Sequence, residues 1–230
     1  ENLDRLLHAK QVDAQLHRPK VAVLAKALRS SATAQPFRID AYEWSVAEEE
    51  GFRAALDCDI LFSCVDRHWP RSVLNFIAYA HLIPVIDGGI RLVINKNGHG
   101  LKRGDMRAHV ASPSHKCLEC LGQFDPGHVA TERDGYANDP NYIEEVQKAN
   151  VDPGNQNVFG FSMFTGGMEI LQFLSLLVTP SGKAIPGAQL YHFIPGHMDS
   201  DHSGCNENCI YTKLIALGDR SSITITASDQ

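Results

Sequence analysis

Two close pairs of cysteines are the residues of this chain whose spacing most directly indicates a chemistry. Cys117 and Cys120 have two residues between them, and Cys205 and Cys209 have three. Four thiolates complete the tetrahedral shell of Zn²⁺, and a closed set of this kind predicts a structural rather than a catalytic zinc. The alternative is four reduced thiols without a metal, which the longer second spacing favours.

A second group of polar residues has the chemistry to hold a nucleotide. Asp66 ends an apolar run, where a carboxylate can bind Mg²⁺ at the carboxyl end of a parallel strand. Arg5 and Lys20 can grip phosphate oxygens, and Asn2 can donate to a phosphate or ribose. The alternative for Asp66 is a helix cap, because a helical pattern begins near Pro70. The other three residues are, taken singly, ordinary surface positions.

The elements that position these residues alternate between helical and strand patterns in residues 1–90. This rhythm predicts a Rossmann-like α/β fold with a mostly parallel sheet flanked by helices. Residues 91–230 predict hairpin strands, then a crossover loop at about 122–157, and then a carboxyl-terminal helix with further strands. Predicted helices cover 13–29, 48–56, 70–82 and 161–178, and predicted strands cover 37–44, 59–66, 83–89, 91–95, 106–111, 190–194 and 222–226.

Three smaller expectations concern residues outside these groups. Cys58 and Cys64, on or beside the strand at 59–66, are predicted to be small core residues. His115 and His202 are expected to be surface or capping histidines rather than metal ligands. The Gly166-Gly167 pair in the last predicted helix either permits close packing or weakens the helix.

Charge and hydropathy exclude some classes of function. The formal net charge is −6 and the basic residues are scattered, which argues against nucleic acid as a partner. No signal-peptide pattern is present at the amino end, and no apolar run reaches the length of about 20 residues that a membrane span needs. These observations, with cysteines suited to metal binding, predict a cytoplasmic protein.

Motifs along nearly the whole chain resemble those of the ThiF/MoeB and ubiquitin-activating-enzyme-like adenylyltransferases. Asn-Leu-Asp-Arg at 2–5 looks like the family's Asn-Leu-x-Arg, and Arg18-Pro19-Lys20 is similar to its Gly-Lys-x-Lys. Cys64-Val65-Asp66 resembles the strand-end aspartate, and residues 84–89 match the strand that follows.

The resemblance implies roles for individual residues. Arg5 and Lys20 would contact phosphate, Asn2 the nucleotide, and Asp66 Mg²⁺. Arg71 and Asn75 match the arginine and asparagine of the helix after the aspartate and join the predicted nucleotide site. The cysteine pairs fall where the family binds zinc.

The resemblance also implies an activity. We expect a homodimer that uses ATP to adenylate the carboxyl terminus of a ubiquitin-like or sulfur-carrier protein or a peptide. Residues 122–157 contain no cysteine, so no thioester is expected on this loop, where Thr131, Glu132 and Arg133 stand instead. Arg67 departs from the family's usual asparagine beside the aspartate.

The family's glycine-rich loop would lie before Glu1, and we therefore expect this chain to be part of a longer protein. Two rival functions fit less well. One is a non-catalytic scaffold or partner subunit that keeps the activating-enzyme fold. The other is a different Rossmann enzyme, such as an oxidoreductase, against which the cysteine pairs and the Asn-Leu-Asp-Arg motif both count.

Overall fold

The computed structural model describes residues 8–95, 99–135, 159–178 and 186–226. By its internal contacts the chain divides into two compact units, Glu1–Ser45 and Val46–Gln230. The boundary lies in the middle of the half predicted to be a parallel α/β region. Each unit is described separately below.

Residues 8–45 of the amino-terminal unit form two helices where the sequence predicted one. Helix α1 is Gln11–Gln15 and α2 is Lys20–Ser31, and Pro19 is the residue before the first turn of α2. Proline has no backbone N–H to continue a preceding helix, yet its fixed φ suits the start of the next one.

The predicted strand at 37–44 is wrong, because the structure forms no strand there. The alternation of apolar residues that suggested it comes from exposed aromatic side chains. The rings of Tyr42 and Trp44 stack on each other with centroids 4.2 Å apart. Tyr42 and Trp44 are spaced at i and i+2, as the residues on one buried face of a strand are, but here both rings are exposed.

The second unit is built on a five-stranded sheet in the order β1-β2-β3-β4-β5. The first two strands pair in parallel, and the remaining three pairings are antiparallel. The mixed α/β fold with flanking helices is thus as predicted, but parallel pairing does not dominate among the described strands. The reason is that the second strand continues past Gly89 into a long hairpin. The strands are β1 Leu61–Ser63, β2 Val85–Ile94, β3 Leu101–Ala111, β4 Ala188–His192 and β5 His197–Asp201.

Helices cover both faces of this sheet. Helix α4 and the π-helical turn after it pack with Val85 and Ala111 on one face. The long helix α6 packs on the other face, where Met168 meets Met106 and Ala108. The helices of this unit are α3 Glu49–Leu56, α4 His68–Phe76 with the π turn Ile77–His81, α5 Pro126–Arg133 and α6 Phe159–Val178, followed by 3-10 turns at Tyr211–Lys213 and Gly218–Arg220.

Helix α6 begins two residues before the predicted start at 161. By length and composition alone it could cross a membrane, although polar residues interrupt its apolar sequence. It nevertheless contacts β2 and β3 of the sheet, and it carries buried Glu169 and Gln172 on the packed side. The helix therefore serves as one layer of this α/β unit.

The end of the chain shows two differences from the predicted strands. Strand β5 follows β4 after a short turn and was not predicted, because its sequence His-Met-Asp-Ser-Asp is polar and exposed. The predicted strand at 222–226 is reduced to a single parallel bridge between Thr226 and Glu48.

Candidate active site

Asp66 lies just beyond the carboxyl end of β1, between that strand and α4. The strand ends at Ser63, and the Asp66 side chain is exposed. Because β1 and β2 are parallel, this is the edge of the sheet where α/β proteins bind their ligands. A solvent-facing carboxylate at this edge is available to a cation.

The amino terminus of α4 is capped by a residue other than Asp66. Arg67 holds the N-cap position without a side-chain cap bond. The carboxylate of Glu132 accepts hydrogen bonds from the backbone N–H groups of His68 (3.1 Å) and Trp69 (2.8 Å). The helix-cap interpretation of Asp66 is therefore wrong, and Glu132 does that work from helix α5.

Two histidines join α4 to α5 beside this cap. The backbone N–H of Asp125 donates to Nδ1 of His68 (3.1 Å), so Nε2 of His68 carries the proton and donates to Nδ1 of His128 (3.2 Å). Partial burial lowers the pKa of His68. The Asp125 carboxylate in turn caps α5 by accepting from the N–H groups of Gly127 and His128.

Beneath the sheet edge lies a fully buried carboxylate, Asp87 of β2. Its Oδ1 accepts from Ser63 Oγ (2.7 Å) and Arg71 Nε (3.0 Å), and its Oδ2 accepts from Arg107 Nη1. A buried carboxylate between two guanidinium groups is stable only because its oxygens are paired in this way. We call Asp87, Ser63, Arg71 and Arg107 the Asp87 cluster. Sequence reasoning noted Asp87 only as part of a strand.

The two glycines after Asp87 leave room for its neighbours. A Cβ at Gly88 would lie 2.2 Å from Oε1 of Glu169, and one at Gly89 would lie 2.7 Å from the Arg107 guanidinium. Burial, together with the charge of Asp87, raises the pKa of Glu169 to about 7. The Asp-Gly-Gly motif therefore reflects close packing of α6 and of Arg107 against β2.

Arg71 and Asn75, which the resemblance placed at the nucleotide, are both buried. Besides Asp87, Arg71 donates to the carbonyls of Val65 and Gln123. The side-chain oxygen of Asn75 accepts from the backbone N–H of Leu118 (2.9 Å). Arg71 thus fixes the carbonyl immediately before Asp66, and Asn75 fixes the start of the Cys117–Cys120 turn.

The other predicted nucleotide residues belong to the amino-terminal unit. Asn2 and Arg5 lie outside the described residues. Lys20 begins α2 and lines a groove of about 480 Å³ within that unit. The groove runs between α2 and residues 39–43 and is mainly apolar, with Ile39 and Tyr42 on its far side.

The four cysteines of the predicted zinc site come together in the second unit. Their Sγ atoms all lie within 4.8 Å of one another, and Cys117 and Cys209 are buried. The Cys117 pair follows β3, and the Cys205 pair follows β5, so the cluster joins two distant segments. Cys58 and Cys64 are exposed instead of buried, because β1 is shorter than predicted.

The surroundings of the cluster suit a metal-bound set of thiolates. Backbone N–H groups point at three of the sulfurs: Cys117 donates to Cys205 (3.1 Å), Cys120 to Cys117 (3.3 Å), and Asn206 to Cys120 (3.5 Å). Such bonds stabilise charge on sulfur, whereas burial raises the pKa of Cys117. A bound cation resolves this conflict, and the donor set fits Zn²⁺.

The crossover loop is described only in its first part. Residues 136–158 lie outside the described residues, while residues 126–133 form α5. Of the three residues singled out there, Glu132 caps α4, and Thr131 donates to the Gly127 carbonyl within α5. Arg133 pairs with Asp134 at the end of the helix.

Comparisons with known proteins agree with this architecture. The profile of the ThiF family matches residues 1–194. Two crystal structures of MccB from E. coli, one with succinimide and one with ATP, superpose with a TM-score of 0.61 at 12% and 11% identity. Each likeness covers 92% of this chain and 54% or 55% of the MccB chain, so this chain spans about half the length of those relatives. A search of curated proteins found no match.

Proposed function

Because this chain belongs to the ThiF family, we propose that it works in an ATP-dependent adenylyltransferase that activates the terminal carboxylate of a peptide or small protein. The observation that carries the proposal is the match over residues 1–194, since this range includes every predicted nucleotide residue. The likeness to MccB, which has been crystallised with ATP, supports the same fold. The position of Asp66 at the parallel edge of the sheet is consistent with this chemistry.

In this proposal each polar residue has one task. Asp66 would hold Mg²⁺, which offsets phosphate charge during adenylation. Arg5 and Lys20 would hold phosphate oxygens of ATP, and Asn2 would contact the nucleotide. The substrate carboxylate, so positioned, attacks the α-phosphorus and pyrophosphate leaves, which forms an acyl-adenylate.

The burial of Arg71 and Asn75 favours an indirect role at this site. Arg71 donates hydrogen bonds to Asp87 and to the Val65 carbonyl, so it would orient the backbone of this chain immediately before Asp66. Asn75 would connect α4 to the cysteine cluster through Leu118.

The substrate in this proposal is a carboxyl terminus of a ubiquitin-like or sulfur-carrier protein or of a peptide. The absence of cysteine from residues 122–157 supports adenylation without a thioester on this loop. A homodimer and a cytoplasmic location belong to the same proposal. Size-exclusion chromatography with light scattering would test the dimer, which a monomeric mass would contradict.

We propose a structural zinc at the four cysteines as well. The zinc would connect the turn after β3 to the segment after β5. Metal analysis of protein purified without chelator is expected to give about one zinc per chain from this cluster. Less than about half a zinc would contradict the four-thiolate site.

Pyrophosphate exchange into ATP tests the activity. The protein that contains this chain should show exchange that depends on a candidate peptide or carrier. Asp66→Asn should abolish most of it, whereas Asp59→Asn, an exposed aspartate before β1, should not. If ATP binds but no carrier or peptide supports exchange, and Asp66→Asn leaves ATP binding unchanged, the scaffold function would replace the enzymatic one.

A further inference from the structure

A row of polar side chains crosses three neighbouring strands at the far side of the sheet from β1. Asp105 of β3 pairs in register with His192 of β4, and His192 pairs with His197 of β5. Paired residues on adjacent strands project from the same face, and so does Asp199, two residues beyond His197. From this arrangement we propose that His192, His197 and Asp199 form a second site for a divalent transition metal ion.

The separations of the two imidazoles from the Asp199 carboxylate are close to those within a coordination shell. Nε2 of His192 lies 3.1 Å from Oδ2 of Asp199, and Nε2 of His197 lies 3.6 Å from Oδ1 of the same carboxylate. In a tetrahedral site with bonds of about 2.0–2.1 Å, neighbouring ligand atoms are roughly 3.3 Å apart. One atom from each of the three residues lies within 4.8 Å of the other two.

The hydrogen bonds of His192 supply a second argument. Asp105 is buried, and its Oδ1 is 2.8 Å from Nδ1 of His192, so this nitrogen carries the proton. Nε2 of the same ring lies 3.1 Å from the Asp199 carboxylate, and this contact is attractive only when a proton or a cation lies between the two atoms. A carboxylate on one imidazole nitrogen and a metal on the other is the usual arrangement of a metal-binding histidine.

The local charge is compatible with a cation. Asp105 pairs with Arg103 through Oδ2 and with His192 through Oδ1, so Asp199 is the acid that faces the proposed ion. The side chains of His197 and Asp199 are 54% and 64% exposed, so an ion can enter from solvent. Two imidazoles and one carboxylate suit Zn²⁺, Ni²⁺ or Cu²⁺ better than Mg²⁺ or Ca²⁺, and they leave a coordination position open.

This site differs from the cysteine cluster in its ligands, and it does not depend on the proposed adenylation. Its backbone is a hairpin, in which the short turn between β4 and β5 holds the two histidines opposite each other. The sequence contains the signal as His-x₄-His-x-Asp at 192–199. The spacing alone does not indicate a site, because only the pairing of β4 with β5 brings His192 and His197 together.

Equilibrium dialysis against Zn²⁺, followed by metal analysis, tests the site. The wild-type protein should hold one zinc equivalent more than His197→Ala and one more than Asp199→Asn. This difference is independent of how much zinc the cysteines bind, so the two sites are judged separately. His8→Ala, which removes an exposed histidine of the other unit, is the control and should match the wild type.

Two further measurements separate metal binding from a structural role. Asp105→Asn should weaken zinc binding by about 10- to 100-fold, as removal of a carboxylate behind a ligating histidine does. Added Ni²⁺ should broaden the imidazole NMR signals of His192 and His197 before those of His8. Equal zinc content in the wild type, His197→Ala and Asp199→Asn, with all three folded, would overturn the proposal.

Discussion

Asp66 follows β1 and Asp87 lies within β2, the parallel strand beside it, yet their surroundings are opposite. Asp87 is fully buried and its two oxygens accept from Ser63, Arg71 and Arg107. Asp66 is exposed, and the helix behind it is capped by Glu132. Asp66 lies three residues after the end of β1, whereas Asp87 lies inside β2. The two aspartates therefore have different roles in the protein.

This difference separates an acid that holds the fold from an acid that is available for chemistry. Asp87 is closed off from solvent and accepts three hydrogen bonds, so its charge is used within the fold. An exposed carboxylate at a ligand-binding edge contributes little to stability and can bind a cation. Arg71 links the two, because it bonds to Asp87 and to the carbonyl before Asp66.

The largest effect is expected from Asp87→Ala. The substitution leaves buried Arg71 and partly buried Arg107 without the carboxylate between them, and breaking a buried ion pair costs about 3–5 kcal/mol. Urea unfolding should show this loss, while Asp59→Asn at an exposed position should stay within about 0.5 kcal/mol of wild type. A stability loss below about 1 kcal/mol for Asp87→Ala would remove the distinction between the two acids.

Asp66→Asn should give the reverse pattern. Its free energy of unfolding should change by less than about 0.5 kcal/mol, because the side chain is exposed. Pyrophosphate exchange should fall on the order of 10²- to 10³-fold, since a group that stabilises developing charge is lost. Asp59→Asn again serves as the control, and normal exchange in folded Asp66→Asn would show that another residue holds the metal.

The buried acid Glu169 predicts how the free energy of unfolding depends on pH. Its pKa in the folded protein is about 7, against 4.5 for an unperturbed glutamate. Between these values the folded chain binds more protons than the unfolded chain, so this residue makes stability fall as pH rises from about 4.5 to 7. At about 1.4 kcal/mol per pKa unit the loss is about 3.5 kcal/mol at most.

Glu169→Gln should remove this loss because the amide has nearly the same shape and stays neutral. The variant should therefore be more stable than wild type at pH 8, and the two should converge near pH 4. Chemical unfolding across this range is the measurement, with exposed Glu207→Gln as the control. A constant difference between Glu169→Gln and wild type at every pH would mean that Glu169 does not titrate in this window.

Much of this arrangement could be predicted from sequence, and the exceptions have identifiable causes. The helices near 48–56 and 161–178 and the strand pair around Asp66 and Asp87 followed from apolar periodicity. The cysteine pairs were expected to meet because four ligands of one metal must be adjacent, and their Sγ atoms do meet. Apolar periodicity and each cysteine pair are properties of short segments, and a shared metal predicts that the two distant pairs meet.

The parts that escaped prediction depend on partners distant in the chain. Asp87 could not be recognised as a buried ion-pair centre without knowing that Arg71 and Arg107 reach it from α4 and β3. Strand β5 was missed because it is polar, and with it the pairing of His192 and His197. The stacked rings of Tyr42 and Trp44 gave a false strand signal.

The smallest expected effects concern two glycines, Gly88 of β2 and Gly166 of α6. Gly88→Ala would place a methyl group 2.2 Å from Oε1 of Glu169, so the buried carboxylate or the helix must shift, which costs about 1–3 kcal/mol. Gly166 lies in α6 with no atom of the described residues within 4 Å of the Cβ position. Gly166→Ala should therefore stabilise the helix by about 0.5–1 kcal/mol.

Thermal or urea unfolding of both variants measures these opposite signs. The double variant Gly88→Ala with Glu169→Ala should recover part of the loss, because the methyl group then meets no carboxylate. If Gly88→Ala is neutral, Glu169 moves aside without cost, and the Asp-Gly-Gly motif is not needed for packing. If Gly166→Ala destabilises the protein instead, another surface must cover this part of α6. The chain, with its exposed Asp66 and its buried Asp87, would then be part of a larger assembly.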